Sequence, residues 1–285
     1  MRIGWVGLGV MGFPMAGHLA AAGHEMQVYN RSPEKGVRFV ERHGGAACLS
    51  PAEAAHGCEF LIMCVGADDD VRQVVAGALD DLAPGGVIVD HTTASAKVAR
   101  EMAERAAAAG RFFVDAPVSG GQSGAEKGVL TVMCGGDEAA FARAAPLIDA
   151  YAGNIRRLGP SGAGQLTKMC NQIAIAGMVQ GLAESQHFAR RAGLDPAEVY
   201  QAISKGSAQS WQMDNRWSTM AAAKFDYGFA VDWMRKDLGL VLDEARTNGA
   251  VLAQTALVDQ FYAELQAMGL NRLDTSSLIA RLERQ

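Results

Sequence analysis

The stretch Arg2-Ile3-Gly4-Trp5-Val6-Gly7-Leu8-Gly9-Val10-Met11-Gly12 decides the fold. Its first five residues read as a short strand, and residues 11–22 behind it carry apolar side chains at helical spacing. Between them Gly7, Leu8, Gly9, Val10, Met11 and Gly12 spell Gly-x-Gly-x-x-Gly. Each glycine has a physical reason. Gly7 permits a tight turn, Gly9 leaves the backbone bare for a pyrophosphate, and Gly12 lets the helix press close to the strand. The helix N-terminus then presents unpaired N–H groups and the positive end of its dipole to phosphate. The motif alone is weak evidence. Its strand–turn–helix context makes a dinucleotide-binding turn the expected reading.

Moving outward, short apolar runs recur at residues 26–29, 60–65, 87–90, 112–115, 130–134 and 155–158. Helical patterns at 32–43 and 71–82 separate the earlier ones. Strands alternating with helices imply βαβ units and a doubly wound, mostly parallel α/β sheet. The breakers Gly159-Pro160-Ser161-Gly162 end this pattern. Beyond them no strand is expected. A long helix over about 165–192 is followed by helices near 195–205, 208–222, 229–249, 251–268 and 274–283, with Asp195-Pro196 as a cap and first helical residue. The expected organisation is a dinucleotide-binding domain at 1–161 and an all-helical domain at 162–285.

The chain has 285 residues, 49% hydrophobic and 20% charged, with a net charge of -5. This mild acidity argues against holding nucleic acid through its phosphates. The five cysteines (48, 58, 64, 134 and 170) have no CxxC spacing and the six histidines no HxxxH spacing, so no metal site is expected. No apolar run approaches the ~20 residues of a membrane span, and no signal-peptide pattern precedes the first strand, so a cytoplasmic location is expected. Asp68-Asp69-Asp70 reads as the cap of a helix starting at Val71, not as a metal cluster. Trp211, Trp217 and Trp233 read as core or interface residues, with Trp233 also near enough to Lys236 to wall a pocket.

The end of the second strand discriminates between dinucleotides. An acid there would bind a ribose 2′-hydroxyl, whereas this chain has Asn30-Arg31-Ser32. Arg31 can pair with a 2′-phosphate, and Asn30 and Ser32 can donate to it. NADP(H) is therefore expected in preference to NAD(H). Cys64 and Val65, at the end of the third apolar run, and Thr93, after the strand ending at Asp90, fall where such sheets bind their ligand.

The glycine motif extends to Phe13-Pro14-Met15-Ala16 and in this form resembles the signature of the β-hydroxyacid dehydrogenases. Three more blocks resemble that family, in its order: Asp115-Ala116-Pro117-Val118-Ser119-Gly120-Gly121, then Gly162-Ala163-Gly164-Gln165-Leu166-Thr167-Lys168-Met169-Cys170-Asn171, then Lys236-Asp237-Leu238. The resemblance spans the chain. It implies a dinucleotide-binding domain, a long interdomain helix and a helical domain that builds a homodimer or homotetramer. It also implies hydride transfer between the dinucleotide and a small carboxylate-bearing aldehyde or hydroxy acid. The family usually has Asn where this chain has His18, a departure expected to matter little.

Lys168 is the only lysine between residues 128 and 204, near the start of an apolar helix. On the residues alone, a lysine snorkelling from a helix end is the plainer account. The family blocks turn the expectation to a general acid/base, whose neutral form burial and an oxidised nicotinamide would favour. Asn171 and Gln172, at i+3 and i+4, share a helical face with it. Family members commonly carry Asn at one or both positions. Asn171 is the expected substrate-orienting amide, with Gln172 left open. Ser119, Gly120 and Gly121 can offer a hydroxyl and closely approachable N–H groups to a carboxylate. By resemblance Lys236 reaches the cofactor, and Asp237 orients Lys168 or the substrate. Two alternatives stand beside this reading. One is an imine-reducing relative and the other a non-catalytic dinucleotide-binding module; both usually lack the lysine.

Overall fold

The computed structural model describes residues 1–283, which divide into two compact units, Met1–Lys168 and the chain from Met169 onward.

The first unit is built on a nine-stranded sheet. Its first half comprises β1 (Arg2–Val6), α1 (Gly12–Ala21), β2 (Glu25–Tyr29), α2 (Pro33–His43), β3 (Ala46–Ala47), α3 (Pro51–Ala55), β4 (Phe60–Met63) and α4 (Asp68–Ala78). Its second half comprises β5 (Val87–Asp90), α5 (Ala96–Ala108), β6 (Phe112–Asp115), β7 (Val118–Ser119), α6 (Gly121–Lys127), β8 (Leu130–Gly136), α7 (Glu138–Ile148) and β9 (Ala152–Gly159). The spatial order is β3-β2-β1-β4-β5-β6-β8-β7, with β9 parallel to β8. All pairings are parallel except those of β6 and β7 with β8.

The central strands explain themselves. Phe60, Ile62, Val87 and Val89 enter one apolar cluster with Ile3 and Trp5, whereas Leu61, Met63 and Ile88 enter another with Val6. Successive residues point to opposite faces, and both faces are covered, so these strands read as unbroken apolar runs. The chain winds outward from β1 through β2 and β3, then restarts at β4 on the other side of β1. The crevice above β1 and β4 is thus the topological switch point, where open α/β sheets bind ligands.

The short β3 and β7 and the helices α3 and α6 were not expected from the sequence. The pairs Val114↔Gly136, Asp115↔Gly135, Val118↔Val132 and Ser119↔Thr131 keep one register. β6 and β7 are therefore one antiparallel strand interrupted at Ala116-Pro117, where proline has no N–H to give the ladder. Met133 N still donates to Pro117 O at 3.1 Å.

α8 (Ala163–Arg191) begins in the first unit and continues into the second. The second unit adds α9 (Pro196–Ile203), α10 (Trp211–Ala221), α11 (Val231–Asn248), α12 (Ala253–Ala267) and α13 (Leu278–Leu282). Among the described residues it holds no strand, only an isolated bridge between Ala230 and Asp274. Asp195 caps α9, its side chain accepting from Ala197 N, with Pro196 in the first turn. The core gathers Ala176, Val179, Trp217, Met234, Leu238, Tyr262 and Leu278. Trp217 is buried, whereas Trp211 and Trp233 are 54% and 42% exposed and are not core residues.

Candidate active site

Each glycine of the turn can be tested by the Cβ it lacks. Gly7 has φ +96°, a left-handed conformation, and a Cβ there would lie 2.2 Å from Cys64 O. A Cβ on Gly12 would lie 2.0 Å from Gly7 O, so α1 packs against the turn as closely as backbone allows. A Cβ on Gly9 would meet nothing within 4 Å, so the space above the turn is open. Trp5 Nε1 donates to Gly7 O at 2.9 Å from the buried core and fixes the turn from below. No side chain caps α1, and no acid stands in its first turn. This is the arrangement a pyrophosphate needs, and a dinucleotide fits it.

The other residues of the turn divide their roles. Leu8 is buried, and its N–H donates to Asn30 Oδ1 at 2.8 Å, while Val10 is 65% exposed. Asn30 Nδ2 donates to Ser32 O at 3.1 Å, so this amide braces the end of β2 against the turn. Arg31 is exposed beyond it and pairs with Asp70 at 3.1 Å.

The acids of 68–70 lie within the first turn of α4, which starts three residues earlier than the sequence suggests. Asp68 Oδ2 accepts from the Ser95 hydroxyl at 2.5 Å, Asp69 pairs with Arg72, and Asp70 with Arg31. Three separate partners, together with the helix dipole, account for all three carboxylates. Among the described residues no group of three or more His, Cys, Asp or Glu is placed to hold a metal, and no helix is long and apolar enough to cross a membrane.

Beside the switch point the strand ends form a buried polar network. Val65 N donates to Thr92 Oγ1 at 3.0 Å, linking the ends of β4 and β5. Asp90 Oδ1 accepts from Thr92 N at 2.9 Å, and its Oδ2 is buried with no hydrogen-bond partner. Burial pushes the Asp90 carboxyl up to about 7, against the pull of the Thr92 hydrogen bonds. Burial pushes His91 down to about 4. Neutral His91 donates from Nδ1 to Ala116 O at 2.6 Å and accepts the Tyr151 hydroxyl at Nε2, 2.8 Å away. These bonds hold the Ala116-Pro117 break from which the Ser119–Gly121 segment departs. Ser119 closes β7, Gly120 has φ +134°, and Gly121 opens α6. His18 was expected to matter little. Its Nε2 instead bonds Ala125 O at 3.0 Å, near the C-terminus of α6, and so ties α1 to the helix that carries this segment.

Asp115, at the end of β6, caps α8 from outside the helix. Its carboxylate accepts from Gly162 N at 2.8 Å and Gln165 N at 3.0 Å. Gln165 is fully buried. Its Nε2 donates to Thr92 O at 2.7 Å and its Oε1 accepts from Ala94 N at 3.0 Å, bracketing Thr93. Lys168 follows three residues later on the same helical face and is 7% exposed, not a snorkelling surface residue.

In the second unit, Asn171 Nδ2 donates to Gln172 Oε1 at 2.8 Å, and Gln172 Nε2 donates to buried Asp237 Oδ2 at 2.6 Å. Lys236 Nζ lies 3.3 Å from Asp237 Oδ1 and 5.7 Å from the centre of the Trp233 ring. The amide of Gln172 is thus engaged with Asp237, which leaves the half-buried Asn171 as the more accessible of the two.

In the sequence alone little marks Asp90, His91, Asp115 and Gln165 as residues of the site. One signal was available: a polar residue closes each of two strands that are otherwise apolar, Asp90 and Asp115.

Two family models cover this architecture. Residues 2–159 match the NAD binding domain of 6-phosphogluconate dehydrogenase, and residues 162–282 match the NAD-binding domain of NADP-dependent 3-hydroxyisobutyrate dehydrogenase. The chain belongs to the β-hydroxyacid dehydrogenase family. It is an NAD(P)-dependent oxidoreductase that transfers hydride to or from small hydroxy acids and their semialdehydes. An uncharacterized oxidoreductase of Shewanella frigidimarina is 58% identical, over 99% of this chain and 98% of that one. A probable 3-hydroxyisobutyrate dehydrogenase-like 1 of Arabidopsis thaliana is 40% identical, over 99% of this chain and 85% of that one. The solved structure of Mycobacterium tuberculosis 3-hydroxyisobutyrate dehydrogenase with L-serine superposes with a TM-score of 0.92 at 31% identity, covering 99% of both chains.

Proposed function

We propose that this chain is an NADP(H)-preferring dehydrogenase of a small carboxylate-bearing hydroxy acid, with Lys168 as its general acid/base. One observation carries the reading: Lys168 is a buried lysine on the helical face that Gln165 fastens around Thr93. The dinucleotide, when bound, supplies the hydride for reduction and accepts it in oxidation. Gly7–Gly12 hold its pyrophosphate at the N-terminus of α1, and Arg31 with Ser32 meets the 2′-phosphate. Cys64, Val65, Thr93 and Lys236 line its path. Ser119, Gly120 and Gly121 grip the substrate carboxylate, and Asn171 orients the substrate. Lys168 Nζ gives a proton to the substrate oxygen as the carbonyl is reduced and takes it back from the hydroxyl in the reverse direction. Asp237 acts through Gln172 and Lys236. Residues 1–161 serve as the dinucleotide-binding domain and 162–285 as the helical domain, through which the cytoplasmic protein forms a homodimer or homotetramer.

The test is a panel. Purified protein is assayed with NADPH and NADH against glyoxylate, succinic semialdehyde, tartronate semialdehyde, a sulfonated analogue and a cyclic imine, and with NADP⁺ and NAD⁺ against 3-hydroxyisobutyrate. Turnover of an acid-bearing substrate with NADPH is expected. Turnover of the imine alone, or of none of them, rejects the reading.

A further inference from the structure

We propose that Gln165 is a positioning residue, whose side-chain amide sets where Lys168 stands by locking the first turn of α8 across Thr92 and Ala94. The proposal rests on the reading of Lys168 as the acid/base. A helix start leaves four N–H groups without intrahelical partners, and the start of α8 is held by groups distant in sequence. Asp115 takes two of those N–H groups, from Gly162 and Gln165. A Cβ on Gly164 would lie 2.4 Å from Met133 O and 2.6 Å from Asp115 O, so this turn sits directly on the ends of β6 and β8. These contacts seat the helix start on the sheet, and a buried side chain can hold its rotation about its own axis more tightly.

Gln165 supplies that constraint. Its amide makes two hydrogen bonds in opposite senses, to Thr92 O and from Ala94 N, as a neighbouring strand would. An amide fully buried and satisfied at both ends has one arrangement, and inverting it would leave two buried polar groups unpaired. Lys168 lies almost one helical turn further along the same face. Rotating α8 by a few degrees about its axis moves Nζ, at the end of a long side chain, by a substantial fraction of an ångström. Misplacing a reacting group by about 1 Å can cost ~10²-fold in rate.

The test compares wild type, Gln165→Met, Lys168→Ala and the double variant. Gln165→Met keeps the side-chain volume and the backbone bonds to Asp115 and removes only the amide. Steady-state kcat and KM are measured, together with the labelling rate of the Lys168 amine in cofactor-free protein, with exposed Lys97 as the internal reference. Gln165→Met is expected to lower kcat by ~10–100-fold. KM for the dinucleotide should change less than kcat, and labelling of Lys168 relative to Lys97 should change. In the Lys168→Ala background Gln165→Met should add no further loss. An equal loss in both backgrounds, or unchanged Lys168 labelling, overturns the proposal, because Gln165 then acts on folding alone. If Lys168→Ala keeps its turnover, the acid/base reading is what fails, and the labelling still reports on positioning. Should Gln165→Met not fold, the isosteric Gln165→Glu takes its place, since its carboxylate repels Thr92 O and the same outcomes apply.

Discussion

Arg31 Nη1 donates to Asp70 Oδ1 across 3.1 Å, joining the end of β2 to the first turn of α4 over the switch-point crevice. Arg31 is 85% exposed and Asp70 26%, so the pair is held loosely. An exposed pair is worth ~0–1 kcal/mol, and a 2′-phosphate displaces such a partner readily. Asp70 is thus a competitor for the cation that the NADP(H) reading needs.

From this follows the first prediction. Wild type should show the higher kcat/KM with NADPH. Asp70→Asn should raise the NADPH:NADH ratio by up to ~5-fold, the equivalent of ~1 kcal/mol. Arg31→Asp should lower the ratio by ~10–100-fold, as expected for a lost charge-assisted hydrogen bond. Parallel kinetics with both cofactors decide it. An Arg31→Asp ratio equal to that of wild type leaves Arg31 as a solvated loop residue.

The glycine turn separates binding from folding. Gly9→Ala adds a methyl to open space, so thermal unfolding should match wild type while dinucleotide affinity falls. Gly12→Ala drives a methyl into Gly7 O and should destabilise the fold by ~1–3 kcal/mol. Calorimetry with and without NADPH distinguishes the two. Loss of stability in Gly9→Ala would place that residue against protein instead of ligand.

Most of the sheet was legible in the sequence because its central strands are buried on both faces. Ile3–Val6 or Phe60–Met63 can hardly be anything but core strands. The two-residue strands Ala46–Ala47 and Val118–Ser119 carry no such signal, since only their tertiary partners define them. The triple Asp68-Asp69-Asp70 concealed a helix start, because acids in a first turn resemble a cap preceding it. The glycine motif was legible as residue types at fixed spacing, whereas Lys168 stood out only through the blocks that resemble the family. The capping of α8 by Asp115, 47 residues from Gly162, was not, because local sequence says nothing of a hydrogen bond between strand end and distant helix. The engagement of Gln172 by Asp237, 65 residues away, was hidden for the same reason.

Asp90 and His91 give stability opposite pH slopes. His91, ordinarily 6.5, lies near 4 in the fold, so its contribution is full above 6.5 and lost as pH falls toward 4. Asp90, ordinarily 3.8, lies near 7, so its contribution is full below 3.8 and lost as pH rises through 7. Between about 4 and 6.5 the two oppose each other. Asp115, also raised by burial, adds to the Asp90 side. Asp90→Asn should therefore unmask His91, with unfolding free energy rising by roughly 3 kcal/mol relative to wild type from pH 4 to 6.5. Urea melts across that range provide the measurement. A difference between variant and wild type that does not change with pH would mean that Asp90 is ionised in the fold.

Asn171 and Gln172 should fail in different ways. Asn171→Ala should lower kcat/KM by ~10-fold or more with little change in melting temperature, since it removes an orienting hydrogen bond of ~1.5 kcal/mol. Gln172→Leu leaves Asp237 without its 2.6 Å donor in the core and should destabilise the protein by ~1–3 kcal/mol. The opposite pattern, with Gln172→Leu stable but inactive, would exchange their roles.

Lys168 carries the most consequences. It sits one turn past Gln165 in a helix start held by Asp115 and is 7% exposed. A lysine is costly to bury unless its amine is engaged. Positioned proton transfer is worth ~10²–10⁴-fold, so Lys168→Ala should lower kcat by about that factor. NADPH binding, measured by fluorescence titration, should be nearly unchanged, because the glycine turn and Arg31 are untouched. Lys168→Arg should not restore turnover, because a guanidinium stays protonated and has a planar, wider head. A folded Lys168→Ala protein with near-normal kcat would remove Lys168 from the chemistry.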